Sequence, residues 1–506
     1  MGRPPARGPL TRVAAVLTGI AVLLGLLTGL AGPAQADDSA HPGAPVAVEI
    51  TDTTVTLSWT PPTAPGEILH YQVVKNGGTN IGTTTGTTFT VTGLIPNRVY
   101  SFAAVAVPRT GHPASSVHTR VRTTGTTPPM PAKPVVMGVF TEKGSHERGF
   151  HVKDLVTGGS AAKLTHLTYG YGTVDGGRCG IGDEHAALER SFTAGNSVSG
   201  QADTASQPLR GYLNQLRALK NRQPQLKLLW SFGGPGQNVD WTAARQNPAA
   251  FAASCARLLD DPRWAGLFDG IDLAVEFERC QSACPPGGPT TITPLVRELR
   301  SAVGGGRLLT VTIGRWGPAK QSYTESDLPR AAAHVDWYNV KTFDYYHPLD
   351  DMWVPKLAPH APLNSSWDIW EWGRDVHSDM WNLTEKGIHP NKLIAGIPTH
   401  AWGWKNVTRD PWSGWLRSTE PADGAFGPGL DDYRTVKPRC APTGELGKTA
   451  VAHCGSEYWT YDTPATVTGK VAYLKENGMG GAFLSNLRGD TAGGELLTAL
   501  TSALAP

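Results

Sequence analysis

Phe268-Asp269-Gly270-Ile271-Asp272-Leu273-Ala274-Val275-Glu276-Phe277 changes character at every second residue. That period belongs to a β-strand, whose successive side chains point to opposite faces. Ile271, Leu273, Val275 and Phe277 share one apolar face, suited to packing against helices. Asp272, Ala274 and Glu276 share the other, which reads as the inside of a barrel. Two carboxylates in an interior row are costly unless they are paired, solvated or used chemically. Glu276 closes the strand, and parallel barrels place their chemistry at that end. Asp269, at the strand's start, reads as a structural carboxylate.

Seven similar apolar segments flank this run. Val135–Phe140, Leu164–Tyr171 and Leu226–Ser231 precede it. Leu308–Ile313, Trp337–Phe343, Lys392–Pro398 and Gly481–Leu487 follow. Helical patterns alternate with them at Leu209–Asn221, Pro248–Leu259, Ile292–Val303 and Pro464–Asn477. Eight apolar strands separated by helices predict an α/β fold, a closed (β/α)8 TIM barrel over 134–506. Its length beyond about 250 residues is assigned to loops.

The composition agrees with a globular, exported chain. Lys and Arg total 45 and Asp and Glu 43 of 506 residues, a net charge of +2. Such a balance lacks the basic excess of an electrostatic nucleic-acid binder and the acidity of a disordered regulator. Residues 1–36 read as a signal peptide. Arg3, Arg7 and Arg12 precede an uncharged apolar core, then Gly32-Pro33 and the small-residue site Ala34-Gln35-Ala36. Secretion to the extracellular space follows, with no stable membrane anchor after cleavage.

Residues 44–124 alternate with strand period in Thr53–Trp59, Tyr71–Val74, Thr87–Val91 and Tyr100–Val105, with turn residues between. A small all-β sandwich is expected. Trp59 and the run Gly93-Leu94-Ile95-Pro96-Asn97-Arg98-Val99-Tyr100 resemble the core tryptophan and tyrosine corner of fibronectin type III modules. A spacer role is the reading this implies. The Pro/Thr-rich stretch 125–133 reads as a semi-rigid linker.

The strand quoted first is similar to the D-G-x-D-x-D-x-E signature of glycoside hydrolase family 18, the chitinases. Ser231-Phe232-Gly233-Gly234 resembles that family's S-x-G-G motif. Phe140-Thr141-Glu142, Asp336-Trp337-Tyr338-Asn339-Val340 and Tyr458-Trp459-Thr460-Tyr461-Asp462 extend the likeness over 134 to about 503. The resemblance implies retaining, substrate-assisted hydrolysis of GlcNAc-containing polysaccharide such as chitin. The sugar's 2-acetamido oxygen would attack C1. Glu276 would protonate the leaving oxygen and then activate water. Asp272 is the second candidate catalytic residue; Asp344, Tyr345 and Trp402 are the candidate substrate contacts.

Several family positions depart from the pattern. Ala274 stands where an aspartate orients the acetamido group. The M-x-Y-D run appears as Lys341-Thr342-Phe343-Asp344, so the hydroxyl of its tyrosine is missing. Ser485 aligns with a tryptophan that lies under the sugar, and Trp402 with an arginine. Activity is therefore expected to be impaired. The alternative is a catalytically silent, lectin-like glycan binder, since Ala274 resembles the change in chitinase-like lectins. Glu278, two residues beyond Glu276, lies about 7 Å further along an ideal strand and is a candidate compensating carboxylate.

Ten of the 16 tryptophans lie between Trp337 and Trp415. Such a density suggests at least one exposed aromatic platform for sugar rings. Cys280 with Cys284 and Cys440 with Cys454 each suit a short disulfide loop, leaving Cys179 and Cys255; fifteen pairings are formally open. No C-x-x-C pair, clustered histidines, P-loop or dinucleotide fingerprint occurs, so no metal and no cofactor is expected. The expected partner is a polysaccharide or oligosaccharide, and the expected state a monomer.

Overall fold

The computed structural model describes residues 41–63, 67–75, 79–110, 113–116, 118–126, 129–143, 148–276, 291–314, 326–349, 357–364, 374–409 and 416–505. The leader 1–36, Glu278, Cys280, Cys284, Trp353, Trp367, Trp370, Trp372, Trp412 and Trp415 lie outside the described residues. The chain forms two compact units. One holds residues up to Val46 with Ser58–Phe89 and Ser101–Thr119; the other holds Ala47–Leu57, Thr90–Tyr100 and everything from Arg120. Their boundary falls inside the segment 44–124.

The N-terminal part is antiparallel β throughout. Ile68–Lys75 pairs with Thr79–Thr84 and with Val99–Pro108. Val46–Ile50, Val55–Ser58 and Thr88–Val91 form a separate three-stranded sheet. Trp59 is buried edge-on to Tyr71, with ring centroids 5.5 Å apart. The Ile95 N–H donates to the Tyr100 hydroxyl at 2.9 Å, the corner expected from that run.

From Val135 the chain builds the barrel. Its strands are β1 Val135–Thr141, β2 His166–Asp175, β3 Lys227–Gly233, β4 Gly270–Glu276, β5 Leu308–Gly314, β6 Trp337–Lys341, β7 Leu393–Pro398 and β8 Gly481–Ser485. All pair in parallel, and β1 pairs with both β2 and β8, which closes the ring. The period-two reading of β4 holds. Ile271, Leu273 and Val275 join the large core under the helices, while Asp272 and Ala274 face the interior. Helices Gly211–Arg222, Pro248–Leu259, Thr293–Val303 and Pro464–Glu476 lie where their patterns placed them. Asp327 caps one of them, accepting the Ile292 and Thr293 N–H groups at 2.8 and 2.9 Å. Among the described residues no helix is long and apolar enough to cross a membrane.

Two expectations change. The length assigned to loops after β7 instead contains a second, antiparallel sheet. Its strands are His400–Lys405, Glu420–Pro421, Leu430–Asp432, Gly444–Leu446, Thr449–Cys454 and Glu457–Tyr461. Each has six residues or fewer, too few for a clean alternation to mark it. The leftover cysteines are also paired. Cys179 bridges to Cys255 across 76 residues, tying the hairpin after β2 to helix Pro248–Leu259, and Cys440 bridges to Cys454.

Candidate active site

The C-terminal side of the barrel opens into a cleft lined by residues of β1 to β6 and β8. Its floor is the interior row of β4. Asp272 is 1% exposed and saturated with donors. The Ser231 hydroxyl donates to Oδ2 at 2.7 Å and that of Thr310 to Oδ1 at 2.7 Å. Thr312 lies within 3.0 Å of both oxygens, and Asn339 Nδ2 donates to Oδ1 at 3.1 Å. Burial nonetheless pushes the Asp272 carboxyl above its ordinary range, with these donors pulling the other way. Such a carboxylate ties β3, β4, β5 and β6 together and has no acceptor left over for a ligand.

Above it, the Ala274 methyl lines the cleft and carries no polar atom. Glu276 ends β4 in register with Gly314 of β5. Gly233, from the S-x-G-G run, has φ 91°, and a Cβ there would meet the Ala274 carbonyl at 2.6 Å. Only glycine lets β3 approach β4 in that conformation. Asp269 proves structural: it pairs with Lys220 and Lys227 and accepts the Leu228 N–H at the opposite end of the strand.

Asp344 and Trp402 are brought together beside the cleft. Trp402 Nε1 and His400 Nε2 both lie 2.7 Å from Asp344 Oδ1. Burial would raise the Asp344 carboxyl, but the His400 charge and hydrogen bond, with the Trp402 bond, hold it well below the usual carboxylate range. Burial likewise opposes the His400 proton, yet Asp344 raises its pKa above the ordinary value. The His360 ring lies tilted 5.3 Å from His400, is fully buried, and has its pKa driven well below its ordinary value chiefly by burial. Phe343 stands edge-on to both His400 and the cleft-lining Phe483.

Other expected contacts are placed differently. Tyr345 is buried in the core and its hydroxyl donates to Asp379 at 2.7 Å, so it is not on the cleft wall. Trp402 and Trp404 belong to a strand, not a loop, and are 9% and 4% exposed. The described tryptophans of that segment supply no exposed platform, since their rings are spent on packing and on the Asp344 bond. Two residues that the sequence named only as motif members take distinct places here. Lys341 lines the cleft, and its signal was its place on the inward row of β6. Glu142, after β1, accepts the Tyr169 hydroxyl, and burial, with the Asp183 charge, pushes its carboxyl up to about 9. Among the described residues no group of three His, Cys, Asp or Glu side chains is placed to hold a metal ion.

Comparison with known proteins decides the family. The family model for glycosyl hydrolases family 18 matches residues 135–490. The chain belongs to glycosyl hydrolases family 18. A fibronectin type III domain model matches 40–122. This family-18 chain is 40% identical to Chitinase 63 of Streptomyces plicatus over 92% of its own length and 76% of that protein's. It is also 40% identical to Chitinase C of Streptomyces lividans, over 93% and 76%. Among solved structures, the catalytic domain of psychrophilic chitinase B from Arthrobacter TAD20 superposes with a TM-score of 0.65 at 24% identity. That match covers 74% of this chain and 95% of the other, and it bears on the fold alone. The scaffold is thus that of a family-18 glycoside hydrolase, with an alanine at the cleft position above the Asp272 knot.

Proposed function

We propose that this is a secreted, chitinase-like family-18 hydrolase acting weakly on GlcNAc-containing polysaccharide, chitin or a close relative. Membership of the family and 40% identity to two Streptomyces chitinases support the substrate class. The basic, apolar and small-residue leader supports export. Glu276 is the acid/base residue of a substrate-assisted, retaining reaction. Asp344, held ionised by His400 and Trp402, contacts the sugar through its second oxygen.

One observation carries the claim of weak activity. The methyl of Ala274 lines the cleft where a carboxylate would orient the acetamido group, and Asp272, the nearest described acid, is consumed by four donor residues. An orienting group of this kind contributes on the order of 10²–10³ in rate. The same absence, with Phe343 and Ser485, favours a second reading, a glycan-binding protein that uses the cleft without turnover.

One pair of assays separates them: hydrolysis and binding of N-acetylchitooligosaccharides by the chain and by Glu276→Gln. Turnover that disappears in Glu276→Gln while binding persists is the expected result. Binding without turnover in either protein replaces the hydrolase with the glycan binder. Absence of both removes the chitin assignment.

A further inference from the structure

Asp344 commits one carboxylate oxygen and leaves the other open. Trp402 Nε1 and His400 Nε2 both lie 2.7 Å from Oδ1. Among the described residues no hydrogen-bond donor is placed on Oδ2, and the side chain keeps 39% exposure against 18% for His400. An open acceptor oxygen is a place for a ligand donor, and two kinds fit it: a sugar hydroxyl and a sugar ammonium. The charge behind the oxygen decides between them.

His400 supplies that charge. Burial opposes its proton, and Asp344 more than restores it. The other groups that face His400 are already answered. Asp432 pairs with Arg148 and Arg434, and Asp462 takes Lys470 at 2.7 Å on both oxygens. Arg488 opposes the His400 proton, and its Nη1 donates to Thr141 Oγ1 at 2.9 Å. His360, with Nδ1 2.9 Å from Thr460 Oγ1, is kept neutral by burial and adds no second charge. The rings of Phe343 and Trp402 stand edge-on to His400 and carry none. An imidazolium bonded to a carboxylate leaves the pair with no net charge. Such an acceptor suits a hydroxyl, whereas a bare carboxylate in the same place suits an ammonium.

We propose that His400 is a specificity-determining residue: its charge balances Asp344, so the open oxygen takes a sugar hydroxyl in preference to a sugar ammonium. The proposal rests on the reading that the cleft takes an amino-sugar polymer, and it narrows that polymer to the N-acetylated form. His400 acts through Asp344 and needs no contact with the sugar itself.

The test is calorimetric titration of the full chain at pH 5.5 with two tetrasaccharides, fully N-acetylated glucosamine and its deacetylated, protonated counterpart. The wild type is expected to favour the N-acetylated ligand. His400→Gln keeps an amide donor for Asp344 and drops the charge. Its affinity ratio is expected to move about tenfold toward the amine. The shift should narrow in 0.5 M salt and disappear in His400→Gln/Asp344→Asn. An unchanged ratio in a folded His400→Gln protein, or a shift that survives loss of the Asp344 carboxylate, overturns the charge balance and leaves the glycan reading intact. No binding of either ligand by the wild type overturns both. Where His400→Gln fails to fold, the wild type decides. An amine that binds more tightly than the N-acetylated ligand, and loses that advantage in 0.5 M salt, overturns the balance; the opposite ranking supports it.

Discussion

Asp344 adopts a left-handed backbone conformation, φ 59°, which costs a non-glycine residue free energy and is kept where surrounding contacts over-determine it. Here two donors converge on one oxygen of its carboxylate. The ion pair with His400 has a defined pH window. Asp344 is depressed from 3.8, so its share is present above that value and fades as pH falls toward the folded pKa. His400 is raised from 6.5, so its share is complete below 6.5 and fades as pH rises through the folded pKa. The stability difference between the wild type and His400→Gln should therefore be largest between pH 3.8 and 6.5. Urea unfolding across that range checks this, and a pH-independent difference speaks against the pair. Asp344 was legible as a candidate because the aspartate of its run is kept although Lys341 and Phe343 depart from the pattern. Its partner His400 was not, because the two residues lie 56 apart in the sequence and no local pattern links them.

At the scale of elements, strand period did most of the predictive work. All eight barrel strands could be placed because each has one face on the helices and one in the barrel, which leaves a strong apolar signal. The antiparallel sheet of 400–461 escaped because its strands are only two to six residues long, too short for a clear period. The disulfides divided the same way. Cys440 and Cys454 lie 14 residues apart and were readable as a loop, whereas Cys179 and Cys255 meet only because a hairpin after β2 folds onto a helix after β3. That second bridge closes a loop of 76 residues, so its loss in Cys179→Ala/Cys255→Ala should cost about 2–5 kcal/mol. Denaturant midpoints of the double variant against the wild type measure it. A loss below about 0.5 kcal/mol means that packing of the hairpin alone holds the two elements.

Taken as a whole molecule, the protein joins a fibronectin type III domain to a family-18 barrel whose eight parallel strands close into a ring. The residues that pack are fixed by their contacts: the β4 apolar face lies in the core and Ser231 donates to Asp272. Ala274 and Ser485 instead line the cleft. On the proposed reading, the weak activity that follows from Ala274 is reversible at that one position. The direct measurement is the rate of N-acetylchitotetraose hydrolysis by Ala274→Asp against the wild type, with Glu276→Gln placed in both backgrounds. A rise of at least tenfold in Ala274→Asp, abolished by Glu276→Gln, is expected. A rate that is unchanged or lower in a folded Ala274→Asp protein would contradict it.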